Sequence, residues 1–461
     1  MWQYSPDVKG GSKHDLKLNL LLQATSRLKW EEPRTMEQQT ILAIAIFLIA
    51  YALIISEKIH RTIVAMIGAA LMVIFGIVSQ ETAIHHIDFN TLGLLIGMMI
   101  IVNITAETGL FKFVAIWAAK KAKGRPLAIL IVLMLLTALG SAFLDNVTTV
   151  LLMVPVTFSI TRQLRVNPLP FLITQIIASN IGGTATLIGD PPNIMIGSAV
   201  KELTFMAFIQ NLMPVAVLIL ALLIPIFILL FRKQIQTTPE LMQSIMDLDE
   251  KELLTDKKLL AKCLTVLGLT ILGFFIHQLV HIESATVALA GAFLLLLLTG
   301  EHMLEEAFAK VEWPTIFFFV GLFILVGGLI ETGVIATLAE KAVALTGGNV
   351  ASTSMLILWL SAIASAFIDN IPFVATMIPM IQDMGSMGVS NLEPLWWSLA
   401  LGACLGGNGT LIGASANLIV AGMAAKEGYT LKFTTFMKYG FPILILSVGL
   451  SSAYVYLRYL M

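Results

Sequence analysis

The sequence predicts an all-α polytopic membrane protein built as two inverted repeats, each with five transmembrane helices and a re-entrant hairpin, and with broken helices at the membrane midplane. Three observations carry that expectation: an apolar composition, a duplication at constant offset, and a one-sided distribution of Lys and Arg.

Of 461 residues, 57% are hydrophobic and only 12% charged, with a mean hydropathy of +0.90. That is too apolar for an ordinary soluble domain. Many windows approach the ~20 residues a helix needs to cross a hydrocarbon core of ~30 Å. Ten-residue strands of alternating polarity are absent, so helices rather than a β-barrel do the crossing. The net charge of −1 carries no information on partners, and no nucleic-acid surface is expected. Cys263 and Cys404 give neither a disulfide framework nor metal-ligand spacing, and no cofactor is expected.

Residues 1–36 form a polar extension with Lys9, Lys13, Lys17, Arg27, Lys29 and Arg34 and no apolar core of a secretory signal, read as disordered or as a misplaced start with Met36 the better beginning. Repeat 1 is placed at 37–231, with apolar segments at 41–56, 62–78 and 91–105. The stretch 109–124 mixes Phe and Trp with lysines and reads as an interfacial amphipathic helix. A longer run at 126–160 is interrupted by Asp145 and Asn146, one at 170–200 is broken by glycines and prolines, and the last spans 208–231. A charged stretch at 232–262 reads as a solvated connector. Repeat 2, at 263–461, restarts the order with segments at 264–275, 284–299, 315–330, an interfacial piece near Lys341, and then 352–382, 394–425 and 435–456.

The duplication is direct. Ser-Ala-Phe-Leu-Asp-Asn at 141–146 returns as Ser-Ala-Phe-Ile-Asp-Asn at 365–370, an offset of 224. The same offset relates Glu107 to Glu331, Pro155 to Pro379, Gly183 to Gly407, Thr186 to Thr410, Gly189 to Gly413 and Asn193 to Asn417. The short Asp-Asn turn leaves no room for an aqueous loop, which favours a hairpin buried in protein over two full crossings. Each half then makes an odd number of crossings, so the second half is inverted. With the loops assigned on that basis, Lys and Arg gather on one face and only Lys201, Lys341 and Arg458 fall opposite. The rich face is cytoplasmic, with the connector on it and both termini outside.

Candidate site residues follow from polarity at membrane depth. Carboxylates inside a span mark an ion or proton pathway, here Asp145 and Asp369, although each also stands where it could cap the helix that follows. Asn146, Asn370 and Thr148 lie beside them. The runs Ile-Gly-Gly-Thr-Ala-Thr-Leu-Ile-Gly-Asp-Pro-Pro-Asn at 181–193 and Leu-Gly-Gly-Asn-Gly-Thr-Leu-Ile-Gly-Ala-Ser-Ala-Asn at 405–417 cannot continue a regular helix. Paired breaks of this kind point to a transporter binding site, which adds Gly183, Thr186, Gly189, Asn193, Gly407, Asn408, Thr410 and Asn417. Asp190 has no acidic counterpart, since Ala414 occupies the equivalent position of the second half, and is a candidate for proton or cation coupling. Glu107, Glu331 and the histidines read as residues of loops and segment ends.

These four motifs together resemble the ion transporter superfamily, and within it the group of arsenite pumps and NhaD-type sodium/proton antiporters, nearest its P protein-like branch, with a citrate transporter-like domain. The resemblance covers essentially 37–461. It implies hairpins entering from opposite faces, a site formed by their tips and the two breaks, an elevator motion of that core, and a homodimeric scaffold. Dicarboxylate relatives bind sodium at Ser-Asn-Thr tips, where this chain has Asp145-Asn146-Val147 and Asp369-Asn370-Ile371; a protonatable Asp would replace the cation there.

The expected function is a secondary active ion transporter of the plasma membrane, proton-coupled and of the arsenite or anion type, with sodium/proton antiport as the alternative. With no Lys or Arg inside a core segment, a neutral oxyacid or small monovalent ion suits the site better than a multivalent anion. A passive channel and an intramembrane aspartyl protease are weaker alternatives. The protease needs Gly-x-Gly before its second aspartate, and Leu187 occupies the first of those glycine positions before Asp190. The chain is therefore not expected to be an enzyme.

Overall fold

The computed structural model describes residues 35–56, 58–277, 280–300 and 302–461. All but the last two residues of the polar extension lie outside that set. The described residues form helices joined by turns, with no strand among them, and eight of the helices are long and apolar enough to cross a membrane.

Repeat 1 contains α1 (Met36–Ser56), α2 (Arg61–Ile74), α3 (Gln80–His85), α4 (Phe89–Glu107), α5 (Leu110–Lys121), α6 (Pro126–Phe143), α7 (Asn146–Gln163), α8 (Leu169–Thr184), α9 (Pro191–Ala199) and α10 (Phe205–Phe231). The connecting stretch holds α11 (Pro239–Met246) and one 3₁₀ turn (Glu250–Leu253). Repeat 2 follows as α12 (Lys257–Ile276), α13 (Ser284–Thr299), α14 (His302–Ala309), α15 (Trp313–Glu331), α16 (Val334–Thr346), α17 (Val350–Phe367), α18 (Asn370–Ser386), α19 (Glu393–Gly406), α20 (Ser415–Lys426) and α21 (Phe433–Val455). The hairpins are α6–α7 and α17–α18, and the breaks separate α8 from α9 and α19 from α20.

The structure is richer between segments than the hydropathy pattern predicts. Short helices α3 and α14 precede α4 and α15, capped in the first case by Ser79 on the Thr82 N–H at 3.0 Å. At 14 and 16 residues, α2 and α13 are shorter than a full crossing needs.

The first helices of each half form one body through close contacts of small residues. A Cβ on Gly97 of α4 would lie 2.6 Å from the Ala288 carbonyl carbon of α13. Its counterpart, Gly321 of α15, meets the Ala65 backbone of α2 at the same distance. In lipid, where apolar side chains gain little by leaving their surroundings, such backbone proximity is what holds helices together. The equivalent helices α4 and α15 lie antiparallel, because the glutamate that ends each one bonds to the segment before the other. Glu107 pairs with Lys310, and Glu331 with His86 at 3.0 Å. His86 and Lys310 are themselves related by the repeat offset of 224. Both glutamates, read as solvated turn residues, thus join the halves.

The connector departs from the expected solvated loop. Lys120 donates to Glu250 at 2.5 Å and to the Leu248 carbonyl at 2.8 Å, Gln163 donates to the Ser244 carbonyl, and Thr255 to the Glu107 carbonyl. The lysine holds the Glu250 carboxyl below its usual range. Gly109 and Gly124, both with positive φ, let the connector backbone approach where any Cβ would collide with the Leu253 or Met242 carbonyl. Sequence composition marks a polar segment here but carries no signal for this docking, and α12 begins at Lys257 inside it.

Adding a methyl at the Gly97 contact should lower stability by about 1–3 kcal/mol, the usual result of overpacking. The measurement is the unfolding midpoint of detergent-purified Gly97→Ala. Gly268→Ala, where a Cβ meets open space, is the control. Equal midpoints for both variants would show that the small-residue contact does not hold the helices together.

Candidate functional site

Breaking a helix at membrane depth frees N–H and C=O groups that need partners inside the protein. Here each break is pinned to its hairpin by the same set of bonds. Ser141 donates to the Ser179 carbonyl at 2.7 Å, and Ser365 to the Ala403 carbonyl at 2.6 Å. The Thr186 hydroxyl reaches the Ala142 carbonyl, as Thr410 reaches that of Ala366. Asn193 donates to the carbonyls of Gly183, Thr184 and Thr186, and Asn417 to those of Gly407 and Thr410. Glycine is required at the pinch. A Cβ on Gly189 would stand 2.6 Å from the carbonyl oxygens of Gly183 and Ser141.

With the breaks so held, four helix N-termini converge. The first residues of α7, α9, α18 and α20 line a void of about 20 Å³, together with Asp145, Asp190, Arg61, Glu312, Thr315, Leu95 and Met99. That is room for about one water or one monatomic ion. Helix N-termini carry partial positive charge and favour an anion or a polar group. A wider cavity of about 430 Å³ shares Arg61, Glu312, Thr315 and Ser415 with the void and adds Asp369, His60 and apolar walls including Ile54, Ile368, Ile412 and Leu418.

The candidate residues take distinct places. Asp145 caps α7, accepting the Thr148 N–H at 2.8 Å and the Thr148 hydroxyl. Asp369 caps α18 through the Ile371 N–H at 3.2 Å. Asp190 makes no capping bond and instead accepts the Asn370 amide from the other half at 3.3 Å. Asp145, Asn146, Asp190 and Asn370 face the void, whereas Thr186, Asn193, Thr410 and Asn417 are engaged in the pins. Asn408 bonds with Asn180, which also reaches Asn417 and Asn146, so a buried amide cluster joins the two breaks. The Asn408 Nδ2 itself is buried without an acceptor.

Sequence reasoning missed Arg61, Glu312, Thr315, Ser415 and Asn180. Arg61 reads as a loop cation on the rich face, and no cation is expected in the core. The structure corrects that: its Nη1 lies 2.5 Å from Asp369 Oδ2 and 2.5 Å from Ser415 Oγ. The physical reason is packing: α2 lies against α15, and its first residue meets the tip of the α17–α18 hairpin. Glu312 and Thr315 had a signal in the repeat, since Asp88 and Thr91 are their equivalents in the first half and in both pairs the threonine hydroxyl donates to the carboxylate. Burial, reinforced by the charge on Asp145, pushes Glu312 up to about 7 against the opposing pull of Thr315 and Arg61.

A family model described as "Citrate transporter" matches residues 51–402. The chain belongs to the citrate transporter (CitMHS) family. Among its relatives, an uncharacterized transporter of Mycobacterium tuberculosis is 44% identical over 426 residues, covering 91% of this chain and 99% of the relative. The human P protein is 37% identical over 503 residues, and the match spans 91% of this chain but 60% of the P protein. Among solved structures, the Alcanivorax borkumensis YdaH transporter matches with a TM-score of 0.55 at 13% identity, over 90% of this chain and 97% of that one. That likeness is one of fold. This citrate transporter family member is accordingly a multi-span membrane transporter.

The pins and the void separate two kinds of asparagine. Asn193→Ala would leave the Gly183, Thr184 and Thr186 carbonyls unpaired, at about 1–3 kcal/mol for each buried group left unsatisfied. Its unfolding midpoint should fall well below that of Asn146→Ala, whose amide has a single bond at 3.5 Å. The reverse order would show that Asn193 is not a pin.

Proposed function

We propose that the chain is a proton-coupled secondary active transporter of a small inorganic anion or neutral oxyacid. The two hairpin tips and two breaks form its alternating-access site. The observation that carries this reading is the charge balance around the tips. Asp145, Asp190, Asp369 and Glu312 are set against Arg61 across the void and the adjoining cavity. Unpaired carboxylates taken out of water cost several kcal/mol each in a low-dielectric site, so such a surplus is stable only when protons or cations join it. Taking up protons as the substrate binds, and releasing them on the far side, is how such a site couples two fluxes. Four helix N-termini and one guanidinium then supply attraction for an anion or a neutral oxyacid such as arsenous acid.

The antiparallel pairing of α4 with α15 supports the inverted relation of the halves, which would present the site alternately to the two faces. By the charge distribution, the wider cavity would open toward the cytoplasmic face of a plasma membrane. An elevator movement within a homodimer accords with the split between the small-residue scaffold and the pinned hairpin core. Citrate is named by the family, but a void of about 20 Å³ beside several carboxylates suits a smaller, less charged substrate.

Sodium/proton antiport is the second reading, favoured by the same acid surplus. A sodium ion exchanging with protons at Asp145 and Asp190 would find oxygen ligands in the side chains of Asn146 and Asn370.

Liposomes holding a pH-sensitive dye, challenged in turn with arsenite, chloride, citrate and sodium, separate these readings. Uphill arsenite or chloride uptake driven by a pH gradient is the expected result, reduced tenfold or more in Asp145→Asn and Asp190→Asn. Proton release driven by sodium alone would favour antiport. Wild-type proton flux in both variants would overturn proton coupling at the tips.

A further inference from the structure

We propose that Arg61 is the anion-binding residue of this transporter. Its guanidinium is shared in turn between the hairpin carboxylate of Asp369 and a monovalent anion that enters through the wider cavity. The proposal deepens the transport reading, and rests on it for the statement that this anion is cargo.

Arg61 opens α2, which packs on α15, while Asp369 is the tip of the α17–α18 hairpin, so their bond ties the first helices of the chain to the second hairpin. Both hydrogen bonds leave from Nη1, one to Asp369 and one to Ser415, and Ser415 also lies 2.8 Å from Asp369. An arginine carries five N–H donors in a planar fork. Nε and Nη2 of Arg61 have no protein acceptor among the described residues. The side chain is 24% exposed, and Arg61 lines the cavity. Its face is steadied by the Phe318 ring, 4.8 Å from the guanidinium carbon to the centroid. A rigid fork with unused donors at the base of an apolar-walled cavity is the arrangement that recognises an oxyanion or halide.

The Asp369 carboxylate already demonstrates the fit, as an anion from the protein's own chain in contact with the fork. A free anion that takes its place removes one bond between scaffold and hairpin, so binding and release of the hairpin become one event. The charged and titratable groups facing Arg61 are Asp369, Glu312, Asp145, Asp190 and His60. With several acids nearby and one guanidinium, a trianion is disfavoured, and a monovalent anion is the class selected. The subsite belongs to one half only. α13, the counterpart of α2, begins Ser284-Ala285 with no cation.

Glu312 gives the pH dependence its sign. Lying before α15 and pushed up to about 7, it is ionised above that pH and opposes an anion there. As pH falls through 7 it takes a proton, and the opposition is lost. Anion binding therefore strengthens toward pH 6.

The test uses the full-length protein in nanodiscs, with chloride and nitrate as probes, gluconate keeping the ionic strength constant, and binding read by calorimetry. Asp369→Asn, which frees the fork, should tighten chloride and nitrate about tenfold. Arg61→Gln should abolish binding, and Arg61→Lys should weaken it while leaving it measurable. The Arg61→Gln/Asp369→Asn double variant removes both charges together, so it guards against loss of fold, checked by its elution profile. It too should fail to bind. Glu312→Gln should flatten the pH dependence. Wild-type anion affinity in the double variant, or weaker binding in Asp369→Asn, overturns the proposal. Proton flux in liposomes is read separately on Asp145→Asn and Asp190→Asn. Normal flux there, with the Arg61 pattern intact, would refute proton coupling and leave the anion subsite standing.

Discussion

The constraint on which this architecture depends is that lipid offers no partner to a backbone group. Two helices are broken in the buried interior, and the break is possible only because neighbouring side chains and carbonyls complete the bonding. Thr186 and Thr410 tie the turns back to their hairpins, and Asn193 and Asn417 gather the carbonyls released at the break. The glycines serve the same end, since Gly182 and Gly406 bring α8 and α19 against the backbones of α6 and α17 too closely for any side chain. Through Ser141 and Thr186, and through Ser365 and Thr410, each hairpin is tied to its broken helix at two points. The N-termini that line the void are a by-product of breaks that must be made somewhere.

That constraint explains why so much was legible in the sequence. Pins are polar residues at fixed spacing in apolar surroundings, so they survive as a pattern that composition alone makes conspicuous. The offset of 224 marks both hairpins and both breaks, and it also relates His86 to Lys310, which the structure places beside the two glutamates. Function at the tips was less legible. Asn193 and Asn417 read as ligands because an amide in a membrane can serve either a substrate or a backbone, and sequence does not say which. Arg61 reads as a loop cation because arginine near a segment end is the ordinary mark of a membrane face. Only its contact with the tip of the second hairpin distinguishes it, and that contact is a product of tertiary packing. The connector reads as solvated for a similar reason, because many of the hydrogen bonds that dock it run to backbone carbonyls, which leave no mark on composition.

The contacts that join the first helices of each half to the hairpins include polar bonds. Within the scaffold, helices meet through glycine and alanine at backbone distance, and such contacts tolerate little sliding. Between scaffold and hairpins, specific polar bonds are scattered: Arg61 to Asp369 and Ser415, Tyr51 to the Pro372 carbonyl, and Asn90 to Ser198. A hydrogen bond contributes about 0.5–1.5 kcal/mol net, more when charged, and can be exchanged for a bond to water or an ion.

The two halves are alike in backbone and unlike in charge. Where repeat 1 reads Asp190-Pro191-Pro192, repeat 2 reads Ala414-Ser415-Ala416, and the serine reaches Asp369 beside Arg61. One tip therefore has a second acid near it, and the other has a cation and a hydroxyl. Had both halves kept the same residues, the two tips would offer equivalent sites and an ion would gain nothing by choosing between them. The cation comes from the first half and sits at the tip of the second, so the two tips differ in charge although their backbones match. Asn370, which bonds to Asp190 from the opposite tip, brings those two places into contact.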